Sequence, residues 1–257
     1  MPEIKLSKKP IIFSILALLM VWSIAAITVN RPLLPAPWAV ITAFITDLPK
    51  ELGRDILVSA ERILISMAIA TLLGVPLGLW LGQNRSWDKY VYPLVYTTYP
   101  IPKITLLPVI ILLMGIGDVS KVFLISLVLF FQVLVIVRDA SRNIPAEYIL
   151  SLRSLGATRF QALRYVYIPA CLPATLTSLK MNVAMSIAVL YLAESFATSA
   201  GLGYYVMDTW QRLDYNRMYA GVMAMSLIGA SAFISLAYLE SRWCHWTQVG
   251  KHRQIVE

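Results

Sequence analysis

Two charged side chains interrupt long apolar stretches of the sequence, which makes them the first candidates for chemistry. Lys103 lies beside Tyr99 in a proline-rich stretch, and Glu194 lies near the end of another, in Tyr191-Leu-Ala-Glu194-Ser195. A lysine in this setting can attract an anion, or it can extend its amine to a polar boundary. A glutamate can form a helix contact or a gate, or it can reach water at a boundary. The sequence leaves both pairs of alternatives open.

Uncharged polar residues in the same apolar stretches point either to a solute path or to helix contacts. Polar side chains in apolar helices more often bond to neighbouring helices than face a path. Gly201-Leu-Gly203 is more typical of a turn than of a gate element. The candidates for a path or gate are Tyr99, Lys103, Asn182, Ser186, Tyr191, Glu194 and Ser195.

Enzymatic chemistry has little support in these stretches. They contain no paired acids, no metal-ligand cluster and no Ser/His arrangement. His245 and His252 stand in a polar tail, which favours solvated side chains over a metal site. The chain also has no Gly-x-x-x-x-Gly-Lys-Ser/Thr phosphate loop, so it is not expected to hydrolyse ATP.

The composition places these residues in a membrane protein. Of the 257 residues 58% are hydrophobic and 14% are charged, and the mean hydropathy is +0.70. Soluble domains are about half apolar and a quarter charged. A span needs about 20 apolar residues, so the sequence predicts an all-α, polytopic helical bundle with about six spans in a single domain. The predicted spans are residues 11–29, 63–81, 90–114, 122–137, 179–197 and 219–239.

Two segments depart from a simple span. Residues 37–61 alternate apolar and charged positions at helical spacing, which predicts one or two external amphipathic helices at the membrane surface. Residues 90–114 carry Pro93, Pro100, Pro102 and Pro108, which predicts a kinked or broken span. The backbone groups freed by such a break must face protein or a water-filled cavity.

Lysine and arginine set the orientation, because they accumulate in cytoplasmic loops. Their distribution predicts that both termini are cytoplasmic, as tails over residues 1–10 and 241–257, and that residues 138–177 form the longest cytoplasmic loop. The net charge of +8 then reflects orientation, because no basic stripe with interleaved aromatic residues suggests nucleic-acid binding. Cys171 and Cys244 lie on the cytoplasmic side, where a structural disulfide is not expected.

The 138–177 loop has its own helical pattern. Residues 146–155 predict a helix that Gly156 stops, and Thr158 can cap a second helix over residues 159–168, ended by Pro169 and Pro173. Apolar and arginine positions give these helices two faces, which favours a rigid knob that docks on another protein. A re-entrant or lipid-surface hairpin is the alternative.

Specific motifs in and beyond this loop resemble a known family. Ser154-Leu-Gly-Ala-Thr-Arg-Phe160, Val166-Tyr-Ile168-Pro169 and Cys171-Leu-Pro173 are similar to the cytoplasmic signature of binding-protein-dependent ABC permeases. Nearly the whole chain resembles the nitrate/taurine/aliphatic-sulfonate branch of that family. Further matching motifs are Leu33-Leu-Pro35-Ala-Pro37, Pro100-Ile-Pro102-Lys103, Leu107-Pro108, Gly115-Ile-Gly117-Asp118, Ala193-Glu194 and Gly201-Leu-Gly203-Tyr204.

The resemblance assigns the loop to ATPase docking, with one departure from the family pattern. The signature normally opens with an acidic residue and two alanines, but here these positions are Leu150, Ser151 and Leu152. Glu147 lies one turn earlier and can present an acid on the same helix face. The residues assigned to docking are Glu147, Leu150, Ser151, Leu152, Gly156, Ala157, Thr158, Arg159 and Pro169.

The resemblance also implies a fold, a location and partners. It implies a type I importer permease in the bacterial inner membrane, paired with a second permease copy and surrounded by lipid. Two ABC ATPase subunits would bind ATP and Mg, and a periplasmic or lipid-anchored binding protein would deliver a small solute. The branch implies an anion such as nitrate, a sulfonate or taurine; bicarbonate, a thiamine precursor and riboflavin are alternatives. A self-contained secondary transporter would need more buried charges or inverted repeats.

Overall fold

The computed structural model describes residues 8–29 and 32–246, and within these ranges the chain is helical with no β-strand. The helices are α1 Lys8–Val29, α2 Pro37–Asp47, α3 Gly53–Gln83, α4 Arg85–Thr98, α5 Leu107–Met114, α6 Asp118–Arg142, α7 Ala146–Ser154, α8 Arg159–Ala162, α9 Ile168–Glu194, α10 Leu202–Gln211 and α11 Tyr215–Trp243. The predicted all-α class is confirmed. Residues 1–7 and 247–257 of the two predicted tails lie outside the described ranges.

Helix length and composition give the candidate membrane-crossing segments. Four helical runs are long and apolar enough to cross a membrane: Pro37–Gln83, Asp118–Arg142, Arg159–Glu194 and Tyr215–Trp243. The pair Arg85–Thr98 and Lys103–Met114 is bent by 79° and makes a fifth crossing if it is one broken span, as the prolines predict. Helix α1 adds the shorter apolar stretch Phe13–Val29. Each of the six predicted apolar segments therefore coincides with a helix or with this broken pair.

Helix α3 begins before the predicted second span. The sequence predicts a separate amphipathic segment up to residue 61, but α3 already begins at Gly53, after a kink at Lys50. Two charged residues of this stretch, Asp55 and Arg62, are buried and have polar partners. Asp55, for example, accepts a hydrogen bond from the backbone N–H of Gly201 at 2.8 Å.

The chain divides into two compact units. The first comprises Met1–Val58 and Ser199–Ser226, and the second comprises Ser59–Thr198 and Leu227–Glu257. In the first unit, the ring of Trp22 lies 6.2 Å from that of Tyr219, and its indole N–H donates to the carbonyl of Pro35. These contacts fix α1 against the chain entering α2 and against α11.

The second unit has an apolar core built around α6 and α9, which pack along their length. Leu124, Ile125 and Leu129 of α6 meet Val189 and Leu190 of α9, all at most 1% exposed. Residues of α3 and α5 complete the same cluster. Cys171 and Cys244 are buried in a second apolar cluster of this unit.

Glycines at a spacing of four bring α3 close to α6. A Cβ atom on Gly78 would lie 2.9 Å from the carbonyl oxygen of Leu134 and 3.0 Å from the backbone nitrogen of Arg138. A Cβ atom on Gly82 would lie 2.5 Å from the Cβ of Ser141. The close helix contact predicted from Gly74, Gly78 and Gly82 is confirmed, and small residues are what such contacts require.

Gly78→Val is expected to destabilise the protein by about 1–3 kcal/mol, because the new side chain meets backbone atoms that cannot rotate away. Thermal unfolding in detergent measures the effect. Leu77→Val is the matched control, since Leu77 is 44% exposed on the same turn. Equal melting temperatures for the two variants would contradict the close packing.

Candidate functional site

Glu194 is a buried helix contact in the second unit. Its side chain is fully buried, and its carboxylate oxygens accept hydrogen bonds from the Ser59 hydroxyl at 2.8 and 2.9 Å. Arg62 donates to the same carboxylate at 2.6 Å. The carboxylate therefore joins the C-terminal end of α9 to α3 at Ser59 and Arg62. It does not reach water, so the boundary alternative does not describe it.

Arg62 extends this contact to α6. Its Nε donates to the Asp118 carboxylate at 2.9 Å, so one guanidinium binds two carboxylates. Lys121, which is 2% exposed, donates to the carbonyl of Gly117 at 3.2 Å in the same region. We call Arg62, Asp118 and Glu194 the charge cluster. The sequence analysis missed Arg62, because it lies where the amphipathic segment was expected to end.

Lys103 satisfies the backbone at the break between α4 and α5. Its Nζ donates to the carbonyl oxygens of Thr98 at 3.1 Å and Tyr99 at 3.0 Å. It also lies 4.3 Å from the centre of the Phe131 ring. Pro100 and Pro102 have no N–H to continue the helix, so carbonyls at the end of α4 need another donor. The lysine supplies it, a role that the sequence analysis did not foresee.

A cavity of about 400 Å³ lies beside this break within the second unit. Its lining is mostly apolar, with polar groups from Lys103 and Gln132. Among the predicted path residues, Tyr99 and Lys103 line it, whereas Asn182 and Ser186 are buried on α9. Ser186 donates to the carbonyl of Val183 at 2.7 Å.

The other two predicted path residues, Tyr191 and Ser195, lie at the C-terminal end of α9. Ser195 donates to the carbonyl of Tyr191 at 2.7 Å, just beyond Glu194. The cavity lining described above includes neither residue. The structure therefore separates the seven predicted path residues into cavity, buried-helix and helix-end positions.

A second buried ion cluster joins α4 to α6. Arg138 donates through Nε to Asp88 at 2.7 Å and through Nη1 to Asp139 at 2.6 Å, and Arg142 also pairs with Asp88. The guanidinium of Arg138 stacks 3.7 Å from the centre of the Tyr92 ring. The sequence places these residues at polar helix ends and gave no signal that they pair.

Asp88→Ala is expected to destabilise the protein by about 3–5 kcal/mol, because it leaves the buried Arg138 without its main carboxylate. Asp139→Ala is the control, since the Asp139 side chain is 46% exposed and exposed ion pairs contribute about 0–1 kcal/mol. Chemical or thermal unfolding in detergent gives both values. A loss for Asp88→Ala no larger than that for Asp139→Ala would contradict the structural role.

A polar cluster also lies within the first unit. The hydroxyl of Tyr205 donates to the carboxylate of Asp47 at 2.5 Å, and Arg217 lies 3.4 Å from the same carboxylate. Burial, and then the hydrogen bond to Asp47, raise the pKa of Tyr205. Gly201, with φ of +114°, begins α10 at the turn that its Gly-x-Gly motif predicts.

The predicted helix-glycine-helix loop is present. Helix α7 ends at Ser154, Gly156 has φ of +79°, and α8 begins at Arg159. Thr158 caps α8: the Thr158 backbone N–H donates to the Gln161 side chain at 2.7 Å, and the Gln161 backbone N–H donates to the Thr158 hydroxyl at 3.3 Å. This reciprocal cap fixes the direction in which α8 leaves the loop.

The predicted end of the second loop helix is wrong. Pro169 was expected to stop the helix, but helical structure continues from Arg159 through a widened turn at Leu163–Tyr167 into α9. Proline is tolerated in a first helical turn, where its missing N–H is not needed. The widened turn at Leu163–Tyr167 comes just before Pro169 and accommodates the change in backbone hydrogen bonding there. The loop is thus continuous with the fifth predicted span rather than hinged to it.

Large apolar side chains of the loop are exposed. Leu150 is 62% exposed, Leu155 84% and Phe160 68%. Large apolar residues of the spanning helices are equally exposed, for example Leu112 at 85%, so this exposure fits both a protein-docking surface and the lipid-surface alternative. Of the residues assigned to docking, the structure leaves Glu147, Leu150, Ser151, Gly156, Thr158 and Arg159 exposed and half-buries Leu152, Ala157 and Pro169. We call residues 146–160 the exposed loop.

Comparison with known proteins places this architecture in a family. The family described as binding-protein-dependent transport system inner membrane component matches residues 74–244, which include the exposed loop and both ion clusters apart from Arg62. The taurine transport system permease protein TauC of Escherichia coli is 28% identical over 88% of this chain and 84% of its own length. The formylaminopyrimidine transport permease protein ThiX of Halalkalibacterium halodurans is 29% identical over 90% of this chain and 93% of its own length.

Further comparisons agree in sequence and in fold. The putative aliphatic sulfonates transport permease protein SsuC of Bacillus subtilis is 26% identical over 85% of this chain and 79% of its own length. A chain of the MetNI methionine ABC transporter in an inward-facing conformation superposes with a TM-score of 0.63 at 20% identity, covering 75% of this chain and 95% of that chain. The predicted type I importer permease fold is therefore confirmed. The chain belongs to the family of binding-protein-dependent transport system inner membrane components and is a multi-pass permease subunit of a bacterial ABC importer.

Proposed function

We propose that the exposed loop docks the permease onto a separate ABC ATPase, and that ATP and Mg bind to that partner. The supporting observation is the exposure of Leu150, Leu155 and Phe160 on a capped, glycine-broken loop that is continuous with α9. A loop built in this way transmits motion to a spanning helix as a rigid body. Glu147 provides the acid that Leu150 does not, one turn along α7.

Two copies of the chain, two ATPase subunits and a periplasmic or lipid-anchored binding protein would complete the importer. Closure of the ATPases on ATP would move the loops and open the pathway outward, and hydrolysis would reset it. The proposed importer requires residues 138–177 and both termini to be in the cytoplasm.

We infer that the substrate is a small solute with an anionic sulfonate or nitrate group, of the taurine, sulfonate or nitrate type. TauC and SsuC are named for taurine and aliphatic sulfonates, and the cavity beside α5 carries the Lys103 amine. The second candidate is a neutral heteroaromatic compound of the formylaminopyrimidine type, favoured by the name of ThiX and by the mostly apolar cavity wall. Bicarbonate and riboflavin have no such specific support.

The decisive experiment is uptake into proteoliposomes containing the permease, its ATPase and its binding protein. ATP-dependent accumulation of a labelled sulfonate is expected. Flux by the permease alone, with no ATPase and no ATP, would instead identify a secondary transporter. Accumulation of a formylaminopyrimidine but not of a sulfonate would select the second candidate.

Lys103→Met is expected to reduce sulfonate uptake about tenfold, which corresponds to about 1.4 kcal/mol of lost interaction with the anion. Lys103→Arg keeps the charge and should retain most uptake, whereas Lys89→Met removes an exposed lysine that does not line the cavity and should have no effect. Melting temperatures of all variants show whether lost uptake comes from destabilisation, since Lys103→Met also removes the contacts to Thr98 and Tyr99. Full uptake by folded Lys103→Met would contradict the anion role.

A further inference from the structure

A second cavity, of about 380 Å³, lies at the base of the exposed loop within the second unit. The end of α3 forms one side of it, and α7 and α8 form the other. Two arginines line it, Arg153 from α7 and Arg159 from α8, and none of the described residues in its wall is acidic. This cavity is separate from the one beside the α4 to α5 break, and the proposed transport path does not use it.

The wall has the chemistry of an oxyanion site. Arg153 and Arg159 form no ion pair among the described residues, which leaves both guanidinium groups available for a ligand. Guanidinium groups bind phosphate-type oxyanions through paired, charge-assisted hydrogen bonds. Gln83, Asn84 and Tyr167 add neutral polar residues to the same wall.

Aromatic residues give the cavity the setting of a membrane interface. Trp80 lines the cavity, is 42% exposed and lies 5.7 Å from the ring of Trp87. Trp and Tyr concentrate at the headgroup level of membranes. Basic pockets at the cytoplasmic ends of spanning helices suit the headgroups of anionic lipids. Of the residues proposed for ATPase docking, Arg159 lies in this wall, whereas the exposed apolar residues Leu155 and Phe160 do not.

We propose that this cavity binds a phosphate-type oxyanion between Arg153 and Arg159, carried by an anionic phospholipid headgroup or present free in solution. The inference rests on the proposed function only in placing the loop on the cytoplasmic side. A bound oxyanion neutralises two like charges on the neighbouring loop helices α7 and α8. It also ties the base of the exposed loop to the end of α3, so that occupancy stiffens the loop.

Binding to the full-length permease in detergent tests the proposal without any measurement of transport. In one arm, native mass spectrometry counts adducts of phosphatidylglycerol, with phosphatidylcholine as the neutral comparison. In the other arm, inorganic phosphate is titrated against lipid-free permease and followed by thermal shift. Arg153→Gln with Arg159→Gln is expected to weaken binding about fivefold for each arginine removed, or about 25-fold together.

Arg164→Gln is the matched control, because Arg164 is an exposed arginine of the same loop region that does not line the cavity. If the double variant loses phosphatidylglycerol adducts but keeps the phosphate-induced thermal shift, the ligand is a lipid headgroup. If it loses the phosphate-induced shift but keeps the adducts, the ligand is a free oxyanion. Equal binding by the double variant and Arg164→Gln in both arms would overturn the proposal. Failure of the docking proposal would leave these binding results unchanged.

Discussion

Replacing Glu194 with alanine is expected to destabilise the permease by about 3–5 kcal/mol, the usual cost of removing one partner from a buried ion pair. Glu194 is fully buried, and the Arg62 side chain is only 6% exposed. Without the Glu194 carboxylate, the guanidinium keeps Asp118 but loses its partner on α9, and the Ser59 hydroxyl loses its acceptor. Thermal unfolding of the purified chain in detergent, followed by circular dichroism, measures the loss.

Two further variants separate the buried pair from its exposed neighbour. Asp118→Asn should cost about 0–1 kcal/mol, because the Asp118 side chain is 71% exposed. Arg62→Met combined with Glu194→Met removes both buried charges and should recover most of the stability. If Glu194→Ala is no less stable than Asp118→Asn, the buried pair does not hold α3 to α9.

The double variant also distinguishes a gate from a structural contact. A stable Arg62→Met/Glu194→Met protein that imports normally would show that the pair only holds the helices together. A stable double variant without uptake would assign the charges to the transport cycle, as the gate hypothesis for Glu194 expects.

Local patterns predicted much of the fold. The four-residue spacing of Gly74, Gly78 and Gly82 encodes a close helix contact because only small residues permit it. Thr158 with Gln161 encodes a helix start through its own hydrogen bonds, and the prolines around residue 100 encode a break. Each of these signals acts within a few residues of the feature that it creates, so a single sequence contains it.

The pairings of the candidate sites could not be predicted in this way. Arg62 meets Glu194 across 132 positions of sequence, and Arg138 meets Asp88 across 50. Neither partner carries a local mark of the other, because tertiary packing alone brings them together. The prediction that Pro169 ends a helix was wrong for a related reason. Whether a proline ends a helix depends on the turn before it, which widens here at Leu163–Tyr167.

Replacing Gly156 with valine is expected to reduce coupled uptake by at least about tenfold while ATP hydrolysis by the partner continues. Gly156 has φ of +79°, a conformation that costs other L-residues about 1–2 kcal/mol and β-branched residues more. No described atom lies within 4 Å of a Cβ placed there, so the chain itself has space for a side chain. The strain therefore acts on the shape of the exposed loop, which is the surface proposed to receive the ATPase.

Uptake and ATP hydrolysis measured in the same proteoliposomes test this prediction, and two controls locate the cause. Gly115→Val places the same residue at φ of +82°, also in open space but at the C-terminal end of α5, so it reports the general cost of strain at a positive φ. Gly156→Asn keeps the left-handed backbone, which asparagine tolerates, while adding a side chain. Recovery with asparagine assigns the defect to loop geometry, and persistent uncoupling assigns it to a tight fit against the ATPase. Coupled uptake that survives Gly156→Val, or that falls equally with Gly115→Val, would remove the exposed loop from the docking role and with it the main support for the proposed mechanism.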